Sequence, residues 1–147
     1  MRGYGPQKVI VDHALTDEAD DHAGIKGGGE AKEALTYVKC LAQYEIPLLV
    51  DRYATTRLSL TQREPITGRK HQIRRHLKHL GHPVVGDSQW KGVLNRACEG
   101  YFGAGRLWLA CTQMVFIARD GSEVVINAPL ETDFQQVLTQ LSEPKLH

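Results

Sequence analysis

The sequence predicts an α+β fold with a mixed, mainly antiparallel sheet and a few helices. Several short segments are rich in β-branched and aromatic residues and are bounded by polar turns. Two other segments carry apolar residues at the three- and four-residue spacing of a helix, and no segment is repeated. A length of 147 residues, with 41% hydrophobic and 24% charged residues, is typical of one globular domain.

Five strands are predicted from alternating or β-prone runs. They comprise residues 7–11, 35–41, 55–61, 107–117 and 123–127. The last two are expected to form a hairpin that turns at residues 119–122. Residues 12–31 are acidic and glycine-rich and show no usable periodicity, so we predict a flexible loop there.

Two helices are predicted from apolar spacing. The first has Ile73, Leu77 and Leu80 on one face and ends at Gly81. The second begins at Thr132. Its apolar stripe comprises Phe134, Val137, Leu138 and Leu141.

Positive charge is concentrated in the middle of the chain. Residues 67–110 hold eight Lys or Arg and two Asp or Glu, a net charge of +6, whereas residues 1–66 carry −2 and residues 111–147 carry −3. The segment from Thr67 to His82 has no acidic residue. Clustered positive charge is typical of proteins that bind polyanions, and a solvated helix face is the alternative interpretation.

The basic residues form rows on the first predicted helix. Arg74 and Lys78 are four residues apart, and His71, Arg75 and His79 form a second row. Like charges at this spacing weaken an isolated helix by roughly 0.2–0.5 kcal/mol per pair, so the pattern indicates an anionic partner. The histidine spacing fits no standard zinc site, and a helix-turn-helix would need an upstream helix where the sequence has a strand pattern.

The chain is expected to be cytoplasmic and not membrane-bound. No apolar run approaches the length of a membrane span, and the first residues do not resemble a signal peptide. Cys40, Cys98 and Cys111 are odd in number and lack the spacing of a metal site, so free thiols in a reducing compartment are expected.

One composite motif resembles a known family. The sequence TGRKHQIR at residues 67–74, the helix that follows, GHP at residues 81–83 and GD at residues 86–87 closely resemble the third sequence motif of the RluA-type RNA pseudouridine synthases. A motif of this length is far more specific than a short glycine pattern. The resemblance extends from Arg2 to about Phe134 and implies a sheet of the pseudouridine synthase type.

The resemblance implies an enzyme that detaches uracil from its ribose, rotates it and rejoins it through carbon, without metal or cofactor. The implied partner is RNA, and specifically tRNA. In this family an aspartate performs the chemistry, and the arginine of the Gln-Ile-Arg triplet, here Arg74, pairs with it. A guanidinium suits this role because it stays charged and can hold a carboxylate with two N–H groups. The residues expected to contact RNA are Arg69, Lys70, His71, Gln72, Arg75, Lys78 and Arg57.

The catalytic aspartate has no counterpart in this sequence. The family carries it in a His-Arg-Leu-Asp segment, which is absent here, as is the family's Lys-x-Tyr strand. Residues 1–147 are therefore expected to form the C-terminal part of a pseudouridine synthase catalytic domain that is inactive alone. Strands such as residues 35–41 and 55–61 are expected to have unpaired edges, which promote self-association. The alternative is a non-catalytic nucleic-acid-binding module that uses the basic helix at residues 69–79.

Overall fold

The computed structural model describes residues 1–19, 24, 26–89 and 92–142. Among these residues ten elements follow one another, and three of them are helices. They are β1 (Lys8–Asp12), β2 (Leu15–Asp17), β3 (Gly28–Lys32), β4 (Leu35–Ile46), β5 (Thr56–Pro65), α1 (Gln72–His79), α2 (Val93–Phe102), β6 (Gln113–Ile117), β7 (Glu123–Asn127) and α3 (Thr132–Ser142). The predicted α+β class is confirmed, and the strand pairs formed by the described residues are antiparallel.

The central sheet has the strand order β1-β4-β5. Along β4, Thr36, Val38 and Cys40 are buried while Tyr37 and Lys39 face outward, as expected for a strand with one covered face. β4 pairs with β1 on one side and with β5 on the other. The expectation that residues 35–41 have an unpaired edge is therefore wrong.

β5 is one of the two edge strands of this sheet, and the first half of its outer side is partly covered. Arg2 forms an isolated antiparallel bridge with Leu58. The Ser59 amide donates to the carbonyl of Met1 over 2.9 Å, and the Gly3 amide donates to the carbonyl of Arg57 over 2.7 Å. Beyond Ser59, the described residues place no further strand along the outer side of β5.

The glycine-rich region contains a hairpin where a flexible loop was predicted. β2 pairs with β3, and Lys32 Nζ lies 2.6 Å from a carboxylate oxygen of Asp17. The loop prediction is wrong for these strands. Every residue of β3 is exposed, so its sequence has no apolar alternation to reveal it. Residues 20–23 and 25 of the predicted loop lie outside the described residues.

The second half of the chain differs from prediction at two places. α2 was not predicted, although Leu94, Cys98 and Tyr101 have helical spacing and pack in the core. The strand predicted at residues 107–117 is shorter in the structure, where β6 begins at Gln113. Near the start of the predicted strand, the Trp108 amide donates to the carbonyl of Val85 instead. The predicted hairpin turn and α3 are confirmed.

Two apolar clusters hold these elements together. One contains Ile46, Leu58, Cys98, Trp108 and Val137, and the stripe of α3 packs against it. The other cluster joins α1 to the central sheet and contains Met1, Val11, Val38, Leu77 and Val84. Within the described part of the chain, no helix is both long and apolar enough to cross a membrane.

His76 is fully buried where α1 packs on the sheet. Its Nε2 lies 2.9 Å from the carbonyl oxygen of His13, which can only accept, and its Nδ1 lies 2.9 Å from Thr36 Oγ1. Burial lowers the pKa of His76, and the neighbouring His13, His79 and Arg75 side chains lower it further, although the hydrogen bond to the His13 carbonyl acts in the opposite direction. The imidazole is therefore held neutral in the folded protein.

We expect the free energy of unfolding to fall as the pH drops below about 6.5, the ordinary pKa of histidine. Because the pKa of His76 is lower in the folded chain, the unfolded chain binds more protons between the two pKa values. Chemical denaturation from pH 5 to pH 7.5 measures this slope. His76→Gln should flatten it and His82→Gln should not. An unchanged slope in His76→Gln would contradict the assignment.

Candidate functional site

The motif glutamine fixes the turn before α1 against β4. Gln72 is buried, and its Oε1 accepts from the Thr67 hydroxyl over 2.7 Å and from the Arg69 amide over 3.0 Å. Its Nε2 donates to the Leu35 carbonyl and to Thr36 Oγ1, each over 2.9 Å. The side chain expected to contact RNA is thus used inside the protein, where it orients the turn that carries Arg69.

Arg74 forms a two-pronged ion pair with Asp87. Arg74 Nε lies 2.9 Å from Asp87 Oδ2, and Nη2 lies 2.5 Å from Oδ1. The side chain of Asp87 is only 4% exposed and that of Arg74 15%. Burial alone would raise the pKa of Asp87, but the guanidinium of Arg74 and the Gln89 amide outweigh it and lower that pKa. Asp87 therefore stays ionised and holds the plane of the guanidinium.

The loop that carries Asp87 is fixed by α2 and by close backbone packing. Asn95 accepts from the Gly86 amide and donates to the Asp87 carbonyl, each over 3.0 Å. Gly86 has a φ of 79°, and a Cβ there would lie 1.7 Å from the carbonyl oxygen of Arg106. Only glycine fits such a position. Asp87 and Asn95 were not among the predicted site residues, and the Gly86-Asp87 pair in the motif was the available signal.

The geometry leaves donors on the far side of the Arg74 guanidinium. Asp87 engages Nε and one N–H of Nη2. Among the described residues, no hydrogen bond from Arg74 Nη1 is seen. An arginine presents five N–H groups in a planar fork, so the two N–H groups of Nη1 and one of Nη2 are the donors that Asp87 does not use.

Four of the residues predicted to bind RNA lie together along the start of α1. In this structure each of them contacts oxygen atoms of the hairpin region that precedes β4. The contacts are Arg69 Nε to Glu33 O at 2.9 Å, Lys70 Nζ to Ala19 O at 2.9 Å, His71 Nδ1 to Glu18 Oε2 at 2.6 Å and Arg75 Nη1 to Thr16 O at 2.8 Å. The cations are thus gathered on one surface, which their own chain partly covers.

The remaining two predicted RNA contacts lie elsewhere. Lys78 is exposed near the end of α1. Arg57 lies in β5 opposite Glu45, near the far end of the β4–β5 ladder from Thr36 and the Gln72 turn. Thr36 and Glu45 are nine positions apart along β4, a distance of roughly 30 Å at the usual rise per residue. The structure does not bring Arg57 together with α1, and its RNA contact stays a prediction.

Sequence comparison relates the chain to enzymes that modify RNA. The family model described as RNA pseudouridylate synthase matches residues 8–79. The tRNA pseudouridine synthase C of Vibrio cholerae serotype O1 is 38% identical over 144 residues, which cover 95% of this chain and 59% of the relative. The protein of the same name from Pectobacterium carotovorum subsp. carotovorum is 36% identical over 144 residues, which cover 95% of this chain and 38% of the relative.

A solved structure shares the fold. Human RNA Pseudouridylate Synthase Domain Containing 1 superimposes with a TM-score of 0.59 at 22% sequence identity, covering 99% of this chain and 64% of the human chain. The chain spans between 38% and 60% of the length of the tRNA pseudouridine synthases C that it matches. The resemblance predicted from the motif is confirmed: the chain matches the RNA pseudouridylate synthase family over residues 8–79 and is similar to tRNA pseudouridine synthase C over 95% of its length.

Proposed function

We propose that this chain forms the C-terminal part of an RNA pseudouridine synthase domain that isomerises a uridine in tRNA. The observation that carries the proposal is Arg74, whose Nε and Nη2 are held by Asp87 while Nη1 makes no hydrogen bond among the described residues. In this proposal the catalytic aspartate comes from polypeptide outside the chain and binds the N–H groups of Arg74 that Asp87 does not use.

The charge around Arg74 favours an ionised second carboxylate. The Asp87 carboxylate raises the pKa of Arg74, so this guanidinium remains charged at any physiological pH. Arg75 follows it in the chain, and the charge of His71 also acts on Asp87. A carboxylate placed among these groups is favoured in its charged form, as a nucleophile requires. No metal or cofactor is needed for the chemistry that the family resemblance implies.

The basic surface of α1 is suited to hold RNA while a base leaves its stack. Unstacking a base costs a few kcal/mol, and phosphate contacts from Lys and Arg keep the strand in place. The matched relatives named above are tRNA pseudouridine synthases, which supports tRNA as the substrate. We assign the protein to the cytoplasm, where Cys40, Cys98 and Cys111 would remain the free thiols seen in the structure.

We also propose that two copies of this chain associate. Beyond Ser59 the outer edge of β5 is open, and Thr61 Oγ1 and Arg63 Nε are buried without a hydrogen-bond partner among the described residues. Burial lowers the pKa of Arg63 to about 10.

The β6–β7 hairpin is apolar and exposed on both faces. Its exposed apolar residues are Met114, Val115, Phe116, Ile117, Val125 and Ile126. Open edges and patches of this kind favour association.

We expect the isolated chain to have no pseudouridine synthase activity. Arg74 can orient and charge-balance a nucleophile but cannot replace one. The assay is tritium release from bulk tRNA that carries uridine labelled at C5. Turnover by the isolated chain would show that its catalytic group lies among its own residues.

In a chimaera with the segment of the Vibrio cholerae relative that this chain does not span, Arg74→Ala should abolish turnover and leave tRNA affinity nearly unchanged. Lys70→Ala and Lys78→Ala should instead weaken binding and lower its salt slope by about one unit each. Tritium release and filter binding over a salt series separate these effects. Loss of affinity alone in Arg74→Ala would favour a nucleic-acid-binding module.

Sedimentation velocity over a concentration series should show dimers of the wild-type chain. Ile117→Lys places a charge on the exposed apolar hairpin and should shift the equilibrium towards monomer. Ile10→Lys is the matched control, since Ile10 is similarly exposed but lies on β1. A wild-type chain that is monomeric at every concentration would contradict the proposed association.

A further inference from the structure

A carboxylate of the chain itself contacts two of the residues predicted to bind RNA. Glu18 Oε2 lies 2.6 Å from His71 Nδ1, and Glu18 Oε1 lies 3.6 Å from Arg75 Nε. A carboxylate only accepts hydrogen bonds, so His71 Nδ1 carries the proton that faces it. The two residues thus hold one carboxylate between them, His71 just before the first residue of α1 and Arg75 in the first turn of the helix.

The backbone around Glu18 adds further acceptors along the same surface. The Thr16 carbonyl accepts from Arg75 Nη1 over 2.8 Å, and the Ala19 carbonyl accepts from Lys70 Nζ over 2.9 Å. Residues 16–19 therefore present a line of oxygen atoms to the cations, with one full negative charge at Glu18. A phosphodiester backbone presents the same chemistry: anionic oxygen pairs joined by neutral oxygen acceptors.

We propose that His71 and Arg75 form a binding subsite for an RNA phosphate, and that Glu18 occupies this subsite in the RNA-free protein. RNA and residues 16–19 then compete for the same cations. The inference rests on the proposed binding of tRNA by this chain and adds the site of one phosphate and the group that it displaces.

The segment around Glu18 is held weakly enough to be displaced. β2 and β3 form a two-stranded sheet, and every residue of β3 is exposed. Two-stranded hairpins of this kind are marginally stable in water. The base of the hairpin is held better, because Leu15 is buried and the rings of His13 and His79 stack with centroids 3.7 Å apart. Displacement can therefore be confined to residues 16–19 while the base stays in place.

The test compares tRNA affinity between two substitutions that remove the same charge from the same hairpin. Glu18→Gln removes the proposed competitor, whereas Glu30→Gln removes an exposed carboxylate on β3. Relative to Glu30→Gln, we expect Glu18→Gln to tighten tRNA binding about threefold, the scale of one partly exposed ion pair. His71→Ala and Arg75→Ala should each weaken binding. In the Arg75→Ala background, the gain from Glu18→Gln should disappear.

Two results would overturn the inference and leave tRNA binding intact. Equal affinities of Glu18→Gln and Glu30→Gln would show that Glu18 does not compete with RNA, and weaker binding by Glu18→Gln would show that it assists RNA. Far-UV circular dichroism and thermal unfolding establish that each variant is folded.

A titration with inorganic phosphate separates the subsite from the proposed function. The His71 ring resonances, followed by NMR, should shift more in Glu18→Gln than in the wild-type chain. If none of the variants binds tRNA, the proposed function fails, and this titration still decides the subsite. Equal shifts in both proteins would reject the subsite.

Discussion

The ion pair between Arg74 and Asp87 is the interaction on which the organisation of the site depends. It joins α1 to the loop before α2, and it orients a guanidinium whose Nη1 makes no hydrogen bond among the described residues. Buried ion pairs contribute little net stability because both charges lose hydration, whereas removal of one partner leaves a costly isolated charge. The pair is therefore better explained by the orientation that it imposes than by stabilisation of the fold.

The polar residues around this pair fall into two groups. Gln72 and His76 face inward and fix α1 on the sheet through Thr36, whereas Lys70, His71 and Arg75 lie along the surface. Repulsion among the surface cations is relieved in this structure by oxygen atoms of residues 16–19. An anionic partner was predicted because residues 67–82 contain no acidic side chain. The chain itself supplies part of that partner.

Apolar spacing in the sequence predicted the strands and helices that have one buried face. It failed for a strand that is exposed throughout and for side-chain contacts between residues far apart in the chain. β4, α1 and α3 follow their apolar spacing. β3 is exposed throughout and carries no pattern. Arg74 was predicted from the motif, but its partner lies thirteen residues away across a turn, and the contact between Glu18 and His71 spans 53 residues. No spacing rule connects residues that only the tertiary fold brings together.

The hydroxyl of Thr36 links the core histidine to the motif turn. It accepts from Gln72 Nε2, which leaves its own hydrogen to point at His76 Nδ1. Protonation of His76 would make Nδ1 a donor, and the hydroxyl would then receive two N–H groups and lose its acceptor. The oxygen has two lone pairs and can accept from both, so the hydroxyl keeps its bond to Gln72 and only its own hydrogen must turn to another acceptor. The charge state of the core histidine therefore sets which way the hydrogen of Thr36 points, beside the glutamine that anchors the turn of Arg69.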